Sequence, residues 1–371
     1  MKQNKAKKIA IIYSGGKHWG GIETYLQSLF ENIDKSKVDL TLLSLGEWEL
    51  THKLRTTGYK LKMFPKFRIR PQTIWEIRDF LQENNFDLIV SQGTVANAYA
   101  RAAAWISGLP NLVTVHSVRD FDYTNPIILG TYNLIEQLTR FPTGRYIAVS
   151  KYIKDVLIKS GVKSENISVI YNGVAPFYSS SNVEKSVDGS RLHPNNIIVG
   201  SIGRLHSTKG FHNLVLACAK LQTTNFKLQI AGEGDERYRL EHLIKELGLV
   251  KRVELLGHVD DITTLLGDWD VYVQPSLSEG FGITVIEAML AGKPVVVTSV
   301  GSLPELVKDG KTGIISSGTS PEALAAAIKL VVDNKELAKK IALAGRADVE
   351  MRIGVEKWTH ETEKAYLEAS K

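Results

Sequence analysis

Three observations predict a chain of two doubly wound α/β domains. Short apolar runs rich in β-branched residues alternate with helical patterns along all 371 residues. Such alternation calls for parallel sheets covered on both faces. Each half opens with a strand, then glycines, then a helix: "KIAIIYSGGKHWGG" in the first half and "NIIVGSIGRLHSTKG" in the second. Between them lies "PFYSSSNVEKSVDGSRLHPNN", Pro176 to Asn196, which is polar, Ser-rich and without period, and reads as a linker.

In chain order, the first-half strands are "KIAIIY", "DLTLLSL", "FDLIVSQ", "NLVTVHS", "RYIAVS" and "ISVIYNG". Those of the second half are "NIIVGSIG", "KLQIAGEG", "VELLGHV", "DVYVQPS", "PVVVTSV" and "TGIIS". Helices are expected between them, among others over Glu23–Asn32, Ile74–Asn84, Phe211–Leu221, Arg239–Leu247 and Pro321–Asp333. Ligands of such sheets sit at the carboxyl ends of the strands, so two such domains place the natural site in a cleft between them.

Composition narrows the class. With 43% hydrophobic and 23% charged residues the chain is of ordinary globular type. A single cysteine, Cys218, excludes an internal disulfide and any cysteine-based metal cluster. The basic N-terminus imitates a signal peptide, but its apolar run, Ile9 to Tyr13, is too short and reads as a first buried strand. No stretch reaches the roughly 20 apolar residues that span a bilayer; Ala98 to Val115 comes nearest and contains Arg101, Gly108 and Pro110. A cytoplasmic protein is expected. The formal charge of +6 is uneven, +8 over residues 1–180 and −2 over the rest. The basic half calls for an anionic partner. Nucleic acid is not expected, because no aromatic-basic reading surface of a known type is present.

The stretch "SEGFGITVIEAMLAGKPVV", Ser278 to Val296, poses the sharpest question. From Ile283 to Ala291 nearly every side chain is apolar or small, so the helix is buried all round. Glu287 then sits in its second turn without a sequence-near partner, and a buried carboxylate must be paired, hydrogen-bonded or liganded. An ion pair with an unseen Arg or Lys is the structural reading of Glu287. Gly20 and Gly21 precede one helix and Gly200, Gly203 and Gly210 another. Neither set is a dinucleotide fingerprint or a Walker loop. Glycine after a strand allows backbone approach to a ligand, and a helix start favours an anion. Arg204 and Lys209 flank the second turn and suit a diphosphate. Gly232 and Gly234 form another pair after a strand, and His116 ends "NLVTVHS". The D-x-D sequences Asp268–Asp270 and Asp120–Asp122 read as solvated loops rather than metal ligands.

Taken in order, "GGIE", "TVHS", "IAVS", "NGV", "GSIGRLHSTKG", "AGEG", "GHV", "VQPSLSEGFGITVIEAMLAGKPVV" and "GSLPELV" resemble the retaining glycosyltransferases of family 4, which have the GT-B fold. The resemblance runs over nearly the full chain. It implies an acceptor-side Rossmann-like domain over 1–178, a linker over 179–196 and a nucleotide-sugar domain over 197–354, facing a central cleft. A C-terminal helix over 355–371 would cross back onto the first domain. It further implies that Glu287 holds the ribose and that Glu279 lies at the donor sugar. Backbone N–H groups of Gly280, Phe281, Gly282 and Ile283 would meet sugar and phosphates, and Arg204 and Lys209 would form the diphosphate pair. His116 would stand beside the transferred sugar, and Gly20 and Gly21 would approach the donor phosphates and the acceptor. The expected reaction retains configuration and needs no cofactor or metal, the departing diphosphate oxygen taking the acceptor proton. UDP-hexose and UDP-N-acetylhexosamine lead as donors, with GDP-mannose as runner-up. The acceptor would be a glycan or lipid-linked molecule of the cell envelope. An epimerase, a phosphorylase and a non-catalytic sugar-nucleotide-binding subunit are the other readings. The segment "YKLKMFPKFRIRPQ", Tyr59 to Gln72, with the basic N-terminus, is a candidate surface for anionic lipid, which would hold the protein peripherally at the inner membrane face.

Overall fold

The computed structural model describes residues 5–15, 19–65, 70–118, 126–139, 144–174, 197–221 and 226–371. They divide into two compact units, Met1–Gly173 with Val355–Lys371, and Val174–Gly354. The expected linker, 179–196, lies outside the described residues, as do Asp120 and Asp122.

The first unit holds a seven-stranded parallel sheet. Its strands are β1 (Lys7–Tyr13), β2 (Val38–Leu45), β3 (Leu61–Phe64), β4 (Leu88–Gln92), β5 (Asn111–Val115), β6 (Arg145–Ala148) and β7 (Ile167–Val169), in the order β3-β2-β1-β4-β5-β6-β7. β1 is central, with Ile11 paired to Leu42 on one side and Val90 on the other. A strand covered on both faces needs apolar residues at every position, and side chains alternate between faces. So Ile9, Ile11 and Tyr13 join one core with Leu26, Leu29 and Trp358, while Ala10 and Ile12 join another with Ile77, Tyr99 and Ala100.

The second unit repeats the plan with six strands: β8 (Ile197–Ile202), β9 (Phe226–Ala231), β10 (Val253–Gly257), β11 (Val271–Gln274), β12 (Val295–Thr298) and β13 (Ile314–Ser316), in the order β10-β9-β8-β11-β12-β13. In both sheets the order reverses beside the first strand, at β1/β4 and at β8/β11. That reversal opens the crevice where doubly wound sheets bind ligands.

Helix starts follow local chemistry. Ser150 of "IAVS" caps the helix Lys151–Lys159, its Oγ accepting the Ile153 N–H at 3.2 Å. Ser320 caps Pro321–Asp333 in the same way, with proline at the first position. The helix Val355–Ala369 packs on the first unit and buries Trp358, Thr362 and Tyr366. It comes so close that a Cβ on Gly173 of "NGV" would lie 2.7 Å from the Trp358 Cβ. This glycine is required by packing.

Two segments singled out in the sequence take definite form. Within Tyr59–Gln72, Leu61–Phe64 is the edge strand β3. Lys60 is bonded to Asp39 at 2.8 Å, Phe64 is buried, and Lys62 lies over the Phe80 ring at 5.4 Å. Lys66, Phe67, Arg68 and Ile69 lie outside the described residues. Ala98–Val115 is neither one strand nor one helix: the helix Thr94–Ser107 ends at Gly108 in the left-handed region, and β5 follows. Among the described residues no helix is long and apolar enough to cross a membrane.

Candidate functional site

In the second unit the predicted residues gather at the carboxyl edge of β8, β9 and β11. Gly203 and Arg204 follow β8, and a short 3₁₀ turn, Ser207–Lys209, brings Lys209 round. Gly210 then starts the helix Phe211–Lys220 at φ +68°, where a Cβ would lie 2.0 Å from the Pro275 carbonyl oxygen. Both the conformation and the approach demand glycine. The contact seats this turn on the loop after β11, and the Leu277 N–H donates to the Thr208 oxygen at 2.7 Å.

That seating delivers Lys209 to Glu279, Nζ to Oε2 at 2.8 Å. Glu279 is 9% exposed and receives two more donors on the same oxygen, Ser276 Oγ at 3.2 Å and Gln274 Nε2 at 3.4 Å. The Ser302 N–H and hydroxyl hold the loop from below, on the Glu279 and Phe281 carbonyls at 3.1 and 2.9 Å. Arg204 is exposed, and its side chain makes no ion pair or hydrogen bond among the described residues. Gly280, Phe281 and Gly282 lead into the helix Ile283–Leu290, where the Val285 and Ile286 N–H groups donate to the Gly282 oxygen at 3.0 and 3.3 Å and the first two, of Ile283 and Thr284, have no carbonyl one turn back.

Glu287 lies in that helix at 5% exposure. Its carboxyl makes no hydrogen bond or ion pair among the described residues, so the alternative of an ion pair with Arg or Lys finds no partner among them. Burial pushes its pKa from 4.5 up to about 8. The buried phenol of Tyr272 lies within the field of both Glu279 and Glu287 and is itself pushed well above its usual range, chiefly by burial.

The predicted glycines divide by role. The Gly203 N–H is taken by the Ala231 oxygen at 3.0 Å and the Gly232 N–H by the Gly257 oxygen at 2.7 Å, so these two lend room rather than donors. Gly234 packs its Cα side on the Leu205 backbone. Asp270 accepts the Ile198 N–H at 2.7 Å at the amino ends of β8 and β11, away from the carboxyl edge. Among the described residues no three His, Cys, Asp or Glu side chains could hold a metal ion together.

In the first unit, Gly20 and Gly21 open the helix Gly21–Asn32 at the carboxyl end of β1. Glu23 in its first turn accepts the Tyr13 hydroxyl at 2.5 Å. His116 stands just past β5, one residue beyond the strand. Its Nε2 lies 2.8 Å from Gln92 Oε1, and its ring meets Tyr25 edge-on at 4.7 Å. Oε1 has no proton to give, so Nε2 carries the hydrogen and Nδ1 is the acceptor. Desolvation lowers the His116 pKa from 6.5 to about 3, so the ring is neutral over the working range. It can position a hydroxyl but has no proton to lend near pH 7.

Sequence reasoning missed Gln92, Gln274, Ser276, Thr284 and Ser302. A signal existed for the glutamines: each ends an apolar strand, "LIVSQ" and "VYVQ", at the switch point of its sheet.

Comparison with known proteins agrees with the two-unit fold. Residues 19–176 match the family described as Glycosyltransferase Family 4, and residues 182–348 match Glycosyl transferases group 1. The chain is 33% identical over 241 residues to "Uncharacterized glycosyltransferase MJ1607" of Methanocaldococcus jannaschii, a match spanning 62% of each chain. It is 26% identical over 295 residues to the capsular polysaccharide biosynthesis glycosyltransferase CapM of Staphylococcus aureus, covering 75% of this chain and 76% of CapM. Anabaena Alr3699/HepE, solved in complex with UDP-glucose, superposes with a TM-score of 0.83 at 25% identity, covering 96% of this chain and 99% of that one.

Proposed function

Residues 19–176 belong to the glycosyltransferases of family 4 and residues 182–348 to those of group 1, and from that membership we propose a retaining transferase of a hexose or N-acetylhexosamine. The donor is a nucleotide diphosphate sugar, UDP-linked first, and the acceptor a glycan or lipid-linked molecule of the cell envelope. The observation that carries this reading is Glu287, a buried carboxyl without a partner among the described residues, in the helix that starts beside Lys209 and Glu279. A ribose diol supplies the hydrogen bonds the fold withholds. Complexes of Alr3699/HepE with UDP and its glucose conjugate and the capsular role of CapM support donor and pathway class.

The chemistry follows from where charge grows. Breaking the anomeric C–O bond leaves negative charge on the diphosphate and positive charge on the sugar ring. Arg204, Lys209 and the first-turn N–H groups at Gly282–Ile283 stabilise the former, and Glu279 faces the sugar. The acceptor arrives on the face the diphosphate leaves, and a diphosphate oxygen takes its proton. His116, neutral, orients hydroxyls, with Gly20 and Gly21 leaving room for the acceptor side.

A thermal-shift panel of UDP-glucose, UDP-galactose, UDP-N-acetylglucosamine and GDP-mannose is the first test. Ligand binding to the native state raises stability by RT ln(1 + [L]/Kd), about 2.7 kcal/mol at a hundredfold excess over Kd. One UDP-sugar is expected to stand out and to be turned over on a labelled acceptor, in EDTA as well as in Mg²⁺. A shift with GDP-mannose alone changes the donor; binding without transfer or hydrolysis makes the chain a non-catalytic subunit. Activity lost in EDTA and restored by a divalent ion removes the metal-independent scheme.

Peripheral membrane contact through the basic first half is proposed in reduced form, since Lys60 is already paired. Co-sedimentation with anionic but not neutral vesicles is expected at low salt, weakening as salt screens exposed charge. No binding at low salt ends it.

A further inference from the structure

A chain of buried hydrogen bonds runs behind Glu279. Tyr272, Gln274 and Ser276 are each fully buried. The Tyr272 hydroxyl, the Thr284 hydroxyl and Gln274 Oε1 form a closed triangle, with oxygen separations of 2.6, 2.8 and 3.1 Å. Two hydroxyl protons serve its three edges and cannot share one edge. At least one therefore points at Gln274 Oε1 in every arrangement. The other end of the amide, Nε2, donates to Ser276 Oγ at 2.8 Å and to Glu279 Oε2 at 3.4 Å. Reversing the amide would set a carbonyl oxygen against a carboxylate oxygen at that distance. The orientation is fixed at both ends.

Glu279 is left with two unlike oxygens. Oε2 collects Lys209, Ser276 and Gln274 and has no lone-pair direction to spare. Oε1 makes no hydrogen bond or ion pair among the described residues. We propose that Gln274 is a specificity-determining positioning residue: by saturating Oε2 and locking the carboxylate plane, it leaves Oε1 as the one acceptor offered to the donor sugar. The proposal rests on the donor-binding role of Glu279 given above.

The consequence is selectivity by hydroxyl configuration. A fixed acceptor takes one O–H from one direction. An epimer with that hydroxyl inverted leaves a charged oxygen unmet in a nearly dry site, and such sites discriminate strongly. Once the carboxylate turns, either oxygen can reach either epimer. The position of Thr284 in the first turn of the Glu287 helix ties this lock to the nucleotide end of the site.

The experiment measures kcat/KM for pairs of nucleotide-hexose donors epimeric at a single ring hydroxyl. Wild type, Gln274→Met and Tyr272→Phe are compared. Methionine conserves volume and removes both ends of the lock. The ratio between epimers is expected to fall about tenfold in Gln274→Met, with melting temperature and total donor use changing less. Tyr272→Phe removes one hydroxyl from the triangle and is expected to lower the ratio by a smaller factor; it also serves if Gln274→Met does not fold. The double variant is expected to add nothing, because both act through one amide. A wild type indifferent to every epimer pair, or variants that keep the wild-type ratio, overturns the assignment of Gln274. A wild type that binds no nucleotide sugar removes the donor-binding reading instead.

Discussion

Lys209→Ala is expected to lower kcat about 10²–10³-fold, the loss typical of removing one donor to a developing anion. Arg204→Ala is expected to follow in the same direction. Lys209 is paired with Glu279 at 2.8 Å, and the proposed reaction gives it a second duty, to meet the charge that grows on the leaving diphosphate. Its removal leaves a carboxylate that is 9% exposed with only a hydroxyl and an amide for company. Glu279 is then expected to bind the donor sugar less well. KM should rise, but kcat should fall further, because the diphosphate charge is greatest in the transition state. Lys209→Arg keeps the cation and is expected to restore part of the rate. Steady-state transfer from a labelled donor measures all three variants. Wild-type turnover in Lys209→Ala would remove that residue from the reaction.

Glu287→Gln is expected to make the protein more stable and less able to bind its donor. The sign follows from the folded-state pKa of about 8 against 4.5 for an ordinary glutamate. Below pH 4.5 the carboxyl is protonated whether the chain is folded or not, and burial costs little. Between pH 4.5 and 8 the unfolded chain gives up the proton and the folded chain keeps it, so stability falls as pH rises. Above pH 8 the penalty is complete, of the order of 5 kcal/mol at 1.36 kcal/mol per unit. Glutamine keeps the shape and has no proton to lose. The gain in melting temperature over wild type should therefore be small at pH 5 and largest at pH 9. At pH 9, where the carboxyl is ionised, donor affinity should drop about 10–100-fold, the worth of a hydrogen bond to a charged group. Melting curves across pH, with and without UDP, test both halves. A variant that melts below wild type at pH 9 and still binds UDP would make Glu287 a structural residue.

The main lines of the fold were legible because a parallel sheet covered on both faces demands uninterrupted apolar strands, and "KIAIIY" and "DLTLLSL" could serve little else. The edge strand β3 was hidden for the opposite reason. In "LKMF" only Phe64 is buried, and an edge strand that alternates with lysine looks like a loop. The burial of Glu287 could be read from the apolar helix around it. That no cation among the described residues comes to meet it could not, since partners in space leave no trace in local spacing. His116 was placed rightly at the end of a strand, yet its neutrality depends on burial beside Tyr25 and Gln92, residues far away in sequence. The unequal oxygens of Glu279 were equally out of reach, because they arise from three loops and strands arriving at one atom.

The helix Val355–Ala369 has a consequence for the order in which the molecule is made. The first unit's core includes Trp358, Ala365 and Tyr366, which are synthesised after every residue of the second unit. On the ribosome, β1 to β7 can pair while the wall that Tyr25 and Trp358 share, ring centroids 5.0 Å apart, is still missing. The second unit is contiguous and can close first, although its chain emerges later. Maturation of the His116 side thus waits for the last helix, and a chain stalled just past Gly354 would carry a complete second unit while the core of the first is still open.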